Sequence, residues 1–220
     1  MKMENVQPYV VGNVLLNRFM LIEELKLRVF VAIDSFSGDK VVVKQAEDGW
    51  LEREWRCMKQ CHSPYIVQPI EYLYSSSLLV LPYLAGQSVL AFSFEQRSLF
   101  VSLIPQIVRA INCVHQAGWV HGDIKPSNII YLPELELIQL IDFGASWPVD
   151  TPLSSLNEWQ LTSGFSRRSK HQGIGKIEKE DDWYALENWL KQIDDNSLSV
   201  KDKRQLIYWK AWLKGKLSRG

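Results

Sequence analysis

Hydrophobic periodicity changes once along this chain, and that change limits the folds open to it. Up to about residue 85 the apolar residues come in short β-rich runs. FMLIEEL (19–25), VFVAID (29–34) and VVVKQ (41–45) read as strands, with SFSGDK (35–40) turning a hairpin over 29–45. One helical segment interrupts them. In GWLEREWRCMKQC (49–61), Leu51, Trp55, Met58 and Cys61 fall on one face. IEYLY (70–74) and LLVLPYL (78–84) form a further strand pair around SSS. From Phe94 onward the period is helical. LFVSLIPQIVRAINCVHQAG (99–118) spaces Leu103, Ile107, Ala110, Ile111 and Val114 at three and four. Pro105 predicts a kink or a late start, and Gly118 a stop. DDWYALENWLKQI (181–193) and KDKRQLIYWKAWLKGKL (201–217) are two final helices. SNIIYL (127–132) and LIQLIDF (137–143) are short apolar pieces flanking YLPELE, and 145–179 reads as a long polar loop. The fold class implied is α+β. Residues 1–84 form a small strand-rich lobe with one helix, and residues 85–220 a helical lobe.

Composition excludes several classes. Hydrophobic residues make up 46% and charged residues 23%, which is ordinary for a globular chain. Lys plus Arg number 25 and Asp plus Glu 25, so no global field draws the protein to nucleic acid. No transmembrane segment is expected, because SLLVLPYLA (77–85) is too short to span a bilayer. The N-terminus MKMENVQPYV lacks the apolar core of a secretory signal, so a cytoplasmic location is expected. Three cysteines, Cys57, Cys61 and Cys113, fit a reducing compartment. Cys57 and Cys61 with His62 read as a helix face, not a metal site. The nine tryptophans read as packing. RRSKHQGIGK (167–176) reads as a solvated basic loop. The C-terminal helix carries Leu206, Trp209, Leu213 and Leu217 on one side. That side is expected to dock under the helical lobe, and the basic residues around it leave a membrane surface or an acidic partner as the alternative.

The chemistry concentrates in HGDIKPSN (121–128) and LIDFG (140–144). Asp123, on a loop after a helix, is placed to take a proton from a hydroxyl nucleophile. Lys125 can neutralise charge on a transferring group. Asn128 offers a neutral oxygen and Asp142 an anionic one, a pair suited to magnesium, which takes few protein ligands. Gly144 frees the backbone past Asp142. Phosphoryl transfer needs these parts, and also a cation on the nucleotide's phosphates. Lys44, ending the VVVK strand, supplies it. Of the acids on the next helix, Glu52 and Glu54, the latter lies four before Met58 and is the one expected to hold Lys44.

On these motifs the chain resembles the eukaryotic-type protein kinase family over about residues 19–190. VVVK (41–44) looks like its phosphate-holding strand. REWRCMKQCHSPYIV (53–67) is similar to its helix C and following turn, and LLVLPYLAG (78–86) to its hinge. HGDIKPSNI and IDFG look like the catalytic and magnesium loops, and DDWYAL (181–186) like the start of helix F. The resemblance implies a bilobal fold that uses ATP and Mg2+ on a protein substrate. Asp123 would be the catalytic base and Lys125 would steady the γ-phosphate. Asn128 and Asp142 would bind magnesium, and Lys44 and Glu54 would position phosphates. Val29, Val42 and Ile130 would sandwich the adenine, with Leu81 as gatekeeper and Pro82 to Leu84 as the adenine-binding backbone. Asp182 would support the catalytic loop. His121, Phe143 and Met58 would stack internally. The activation segment that the resemblance implies, 142–170, holds Ser154, Ser155, Thr162, Ser163, Ser166 and Ser169 as autophosphorylation candidates.

Three departures qualify the resemblance. The family's Gly-rich loop is absent, with only KLR between LIEEL and VFVAID. Gly122 replaces the arginine that reads activation-loop phosphate, which points to a constitutive enzyme or one with an activating protein partner. The Ala-Pro-Glu ending is replaced by LTSGFSRRSK (161–170), and the helical lobe is trimmed, as in small bacterial effector kinases. Two other functions stay open beside a Ser/Thr kinase. One is a pseudokinase-like binding module, and the other a small-molecule phosphotransferase of the aminoglycoside-kinase kind.

Overall fold

The structure, a computed structural model, describes residues 9–46, 49–156, 159, 162–193 and 198–218. The chain forms two compact units, Met1–Trp55 with Gln68–Tyr83, and Arg56–Val67 with Leu84–Gly220.

The first unit is an antiparallel six-stranded sheet in the order β1-β2-β3-β4-β6-β5. Its strands are β1 (Val14–Leu15), β2 (Phe19–Lys26), β3 (Val29–Asp34), β4 (Lys40–Gln45), β5 (Glu71–Leu73) and β6 (Leu78–Pro82). The β-branched runs of β3 and β4 fill its centre. Alternation then sorts their residues. Phe30, Ala32, Val41, Val43, Leu78 and Val80 join Phe19 and Leu21 in one core cluster. Val29, Val42, Lys44 and Leu81 lie on the other face, in the register Val29↔Lys44 and Val42↔Leu81.

Helix α1 (Trp50–Gln60) is divided between the units. Its buried positions are Leu51, Glu54, Cys57 and Met58. Trp55, assigned above to the apolar face, is half-buried and packs its ring on Tyr72 and Tyr74. A glutamate takes the buried position because its charge is paired there.

Residues 56–67 pack with the second unit, where the sequence division at 84 keeps them with the strands. The cause is backbone pairing: Leu140 donates to Tyr65 O and accepts from Val67 N, and Trp119 Nε1 donates to Gln60. The axis of the second unit is α2 (Arg97–Gln116), with β7 (Gln87–Ser88) before it. Pro105 lies inside α2, which starts two residues earlier than the apolar pattern indicates. A proline costs about 3 kcal/mol in a helix interior. Val101, Leu103, Ile104, Ile107, Val108 and Ile111 are buried on either side of it, each contributing roughly 1.5–3 kcal/mol. Packing therefore carries the helix through. By length and composition α2 is also apolar enough to cross a membrane, which 77–85 is not, but it is mostly buried as a core helix.

After α2, β8 (Trp119–Val120) leads into the loop 121–128. The β9–β10 hairpin follows (Ile129–Leu132, Leu137–Leu140), with β7 paired to β9. The stretch 145–179 is more ordered than its sequence indicates. It contains β11 (Trp147–Pro148), paired with β8, a 3₁₀ turn at Leu153–Ser155 and a short helix α3 (Arg168–His171). Helices α4 (Lys179–Lys191) and α5 (Val200–Leu217) close the unit.

Candidate functional site

In the first unit, Lys44 and Glu54 form a buried ion pair, with Nζ 2.6 Å from Oε1 and 2.8 Å from Oε2. The strand places Lys44 on the face of Val29, Val42 and Leu81, and the helix brings Glu54 to it. Pro82 lies opposite Val41, on the other face.

The hairpin that precedes this pair is as short as a hairpin can be. Lys26 pairs with Val29, and Leu27 and Arg28 make the turn, Arg28 with φ of 60°. A residue other than Gly or Asn is uncommon in that left-handed region, because its Cβ crowds the backbone. Two residues provide no loop that folds over a phosphate chain.

In the second unit, the loop 121–128 is built on a buried carboxylate. Asp182, in the first turn of α4, accepts from His121 N and Gly122 N at 2.9 Å each and faces His115 Nε2 at 2.9 Å. Burial pushes its pKa up, but these bonds and the neighbouring imidazoles hold it below the ordinary carboxylate value. His115 comes from the last turn of α2, on its buried face.

His121 is fully buried. Its Nδ1 accepts from Asp123 N at 3.2 Å, so Nε2 is the protonated nitrogen and donates to Ile141 O at 3.1 Å. Its ring meets the buried Phe143 ring edge-on, centroids 4.7 Å apart. Met58 is also fully buried.

Gly122 has φ of +80°, and a Cβ there would lie 2.6 Å from Ala145 O. The backbone therefore demands glycine at this point.

The chemical groups converge on Asp123. Lys125 Nζ lies 2.7 Å from its Oδ2, and Asn128 Nδ2 donates to its Oδ2 and to its main-chain oxygen at 2.9 Å each. These two donations fix the amide's orientation and leave Asn128 Oδ1 as the atom facing away from Asp123. The hydroxyl of Thr162 donates to Asp123 Oδ1 at 2.6 Å, and Lys125 Nζ donates to that hydroxyl at 3.2 Å.

Asp142 stands at the open end of the β9–β10 hairpin. Ile129 pairs with Leu140, and Ile141 N donates to Asn128 O, which brings Asn128 and Asp142 to the same end. Asp142 is in the left-handed region with φ of 62°, turning the chain into the 3₁₀ segment Phe143–Ala145. An amide oxygen and a carboxylate at one hairpin end suit a hard cation that keeps most of its other ligands. Among the described residues no group of three or more His, Cys, Asp or Glu forms a metal cluster. Ile130 sits opposite Ser88 on β7, and Gly86 approaches so closely that a Cβ would lie 2.4 Å from Tyr131 O. Leu84, half-buried, accepts from Gly86 N.

Sequence reasoning missed three things. One is the engagement of Thr162, among the autophosphorylation candidates, by Asp123. No spacing rule links the two, which are 39 residues apart. His115 was legible in principle, as a histidine on the apolar face of α2. The basic stretch 167–176 is solvated only in part: His171, Gln172 and Ile174 to Lys176 are exposed, but Lys170 is 4% exposed, and Arg167 and Lys170 pair with Glu178 and Asp181.

Comparison with known proteins adds to this geometry. The family model described as Protein kinase domain matches residues 27–186. The SNF-related serine/threonine-protein kinase of Rattus norvegicus is 32% identical over 126 residues, which cover 50% of this chain and 17% of that protein. Citron Rho-interacting kinase of Mus musculus is 30% identical over 115 residues, 49% of this chain and 6% of that protein. A sequence named as a serine/threonine-protein kinase in Acanthamoeba polyphaga mimivirus is 28% identical over 180 residues, 72% of this chain and 64% of that protein. The chain thus spans a small part of the first two relatives.

Proposed function

The chain belongs to the protein kinase domain family, and on that premise we propose that it transfers the γ-phosphate of ATP to serine or threonine hydroxyls of protein substrates. The observation that carries the reading is the Thr162 hydroxyl, which donates to Asp123 Oδ1 at 2.6 Å and accepts from Lys125 Nζ at 3.2 Å. An aliphatic hydroxyl is thus a fitting hydrogen-bond partner for the base and for the lysine beside it.

Asp123 takes the proton of the substrate hydroxyl as that oxygen bonds to the γ-phosphorus, and the bond to the ADP oxygen breaks. Lys125 neutralises charge on the moving phosphoryl group. Asn128 Oδ1 and the Asp142 carboxylate are the groups that would hold Mg2+, which supplies neutralisation of the phosphate oxygens. Lys44, kept in place by Glu54, supplies a fixed cation for the nucleotide's other phosphates. Val29, Val42, Leu81, the Pro82–Leu84 backbone and Ile130 are the residues that would surround the adenine.

A second reading, a nucleotide- or protein-binding module without transfer, is favoured by the two-residue turn at Leu27–Arg28 alone. One experiment separates the two. The purified chain and its Asp123→Ala variant are incubated with MgATP and a generic protein acceptor, and phosphosites are mapped by mass spectrometry. Phosphoserine or phosphothreonine formed by the wild type and lost in the variant supports the enzyme. No phosphate in either, or equal phosphate in both, defeats it.

A further inference from the structure

The ion pairs between 167–170 and the start of α4 have no part in the chemistry above, yet they are tied to it. Arg167 Nε donates to Asp181 Oδ1 at 2.9 Å, and its Nη2 donates to Asp181 Oδ1 at 2.6 Å and to Glu178 Oε2 at 2.5 Å. Lys170 Nζ lies 3.1 Å from Asp181 Oδ2 and 3.7 Å from Glu178 Oε2, and also donates to Lys176 O. Two cations and two carboxylates therefore close into a neutral cluster. It borders a cavity of about 30 Å³ lined in part by Trp147, Trp159 and Phe165, an apolar surrounding that strengthens each attraction.

The cluster reaches the reactive carboxylate along a short path. Next to Arg167, Ser166 donates from its hydroxyl to Thr162 O at 2.9 Å, closing the turn 162–166. Thr162 in turn donates to Asp123. On the other side, Asp181 is followed in the chain by Asp182, the carboxylate that receives the amides of His121 and Gly122. Adjacent residues on one helical turn thus anchor the two segments that must meet. Asp181 fixes the one bearing Thr162, and Asp182 fixes the one bearing Asp123. The separation of Thr162 from Asp123 is referred to a single rigid element.

We propose that Arg167, with Lys170, is a positioning residue of the phosphotransfer site: it latches residues 162–170 to the first turn of α4, so that this segment is set against Asp123 by internal ion pairs and needs no phosphate to order it. This rests on the kinase reading above. Arg167 suits the task because its planar fork makes three directed donations to the two carboxylates, a geometry that a single ammonium does not reproduce.

The test uses steady-state phosphate transfer by the full chain, first treated with a phosphatase that is then removed. The wild type is expected to keep its initial rate after this treatment. Arg167→Ala is expected to lose at least tenfold in kcat with KM for ATP unchanged, Arg167→Lys to recover part of that loss, and Glu178→Gln to lose less. In a Thr162→Val background, Arg167→Ala is expected to have no further effect on kcat, because the two act through one contact. A general loss of folding would add to the Thr162 effect instead. If the wild type transfers phosphate but Arg167→Ala and Glu178→Gln leave kcat unchanged, the latch is wrong while the kinase reading stands. Dephosphorylation that abolishes wild-type activity also overturns it. A wild type inactive before any treatment defeats the kinase reading itself.

Discussion

The loop 121–128 and the hairpin tip between β2 and β3 each have a glycine-demanding backbone position, yet they resolve it in opposite ways. In the loop, Gly122 fills the position, and the amides around it are received by Asp182, one of the most buried carboxylates described. Asp123, Lys125 and Asn128 then hold one another at 2.7–2.9 Å. At the tip, Arg28 adopts φ of 60° without being glycine, and Leu27 is 82% exposed. The groups for chemistry are kept in a dense network, and the segment that would cover phosphates is reduced to a bare turn. A chain of this kind is expected to retain its catalytic step and to lose grip on its nucleotide.

The largest effect that bears on this contrast is at the base. Asp123→Asn keeps the hydrogen bonds' shape but removes proton acceptance, and is expected to lower kcat by roughly 10²–10⁴-fold. An unchanged kcat, measured by radiolabelled phosphate transfer, breaks the retained half of the comparison.

Next is the foundation of the loop. Asp182→Ala leaves two buried amides and a histidine unpartnered, at a cost of about 3 kcal/mol. That corresponds to a Tm lower by about 6–12 °C in differential scanning calorimetry. The pH dependence has a defined sign. Asp182's folded pKa lies below its ordinary value of 3.8, so its stabilisation is present above that value and is lost as pH falls through the lower folded one. Tm of the wild type should drop more steeply than that of Asp182→Asn below about pH 4. Parallel curves would refute the assignment.

A smaller effect sharpens the other half. Inserting two glycines between Leu27 and Arg28 lengthens the tip and frees its amides to approach phosphate. The expectation is a several-fold lower KM for ATP at constant kcat. The smallest is Arg28→Gly, which relieves the left-handed strain and should raise stability by up to about 1 kcal/mol, with no change in kcat.

Legibility in the sequence follows range. Strands β2 to β6 and helices α1, α2, α4 and α5 are written in local periodicity, and the groups from His121 to Asn128 lie within one short stretch. The Lys44–Glu54 pair was reachable because a strand and the next helix bracket it. The failures are of another kind. Pro105 was outvoted by the buried residues on both sides of it. Thr162 and Arg167 belong to a segment with weak periodicity, and what orders them is a set of ion pairs to α4. Basic residues read alone look solvated, and only the fold brings Glu178 and Asp181 beside them.

Steady-state kinetics of ATP-dependent phosphate transfer by the purified chain tests the central claim most directly, because it separates catalysis from nucleotide grip. The account predicts a kcat within the roughly 1–100 s⁻¹ range of kinases and a KM for ATP at or above about 1 mM, the upper end of common values. No transfer at any ATP concentration, or transfer with a KM of a few micromolar, would contradict it.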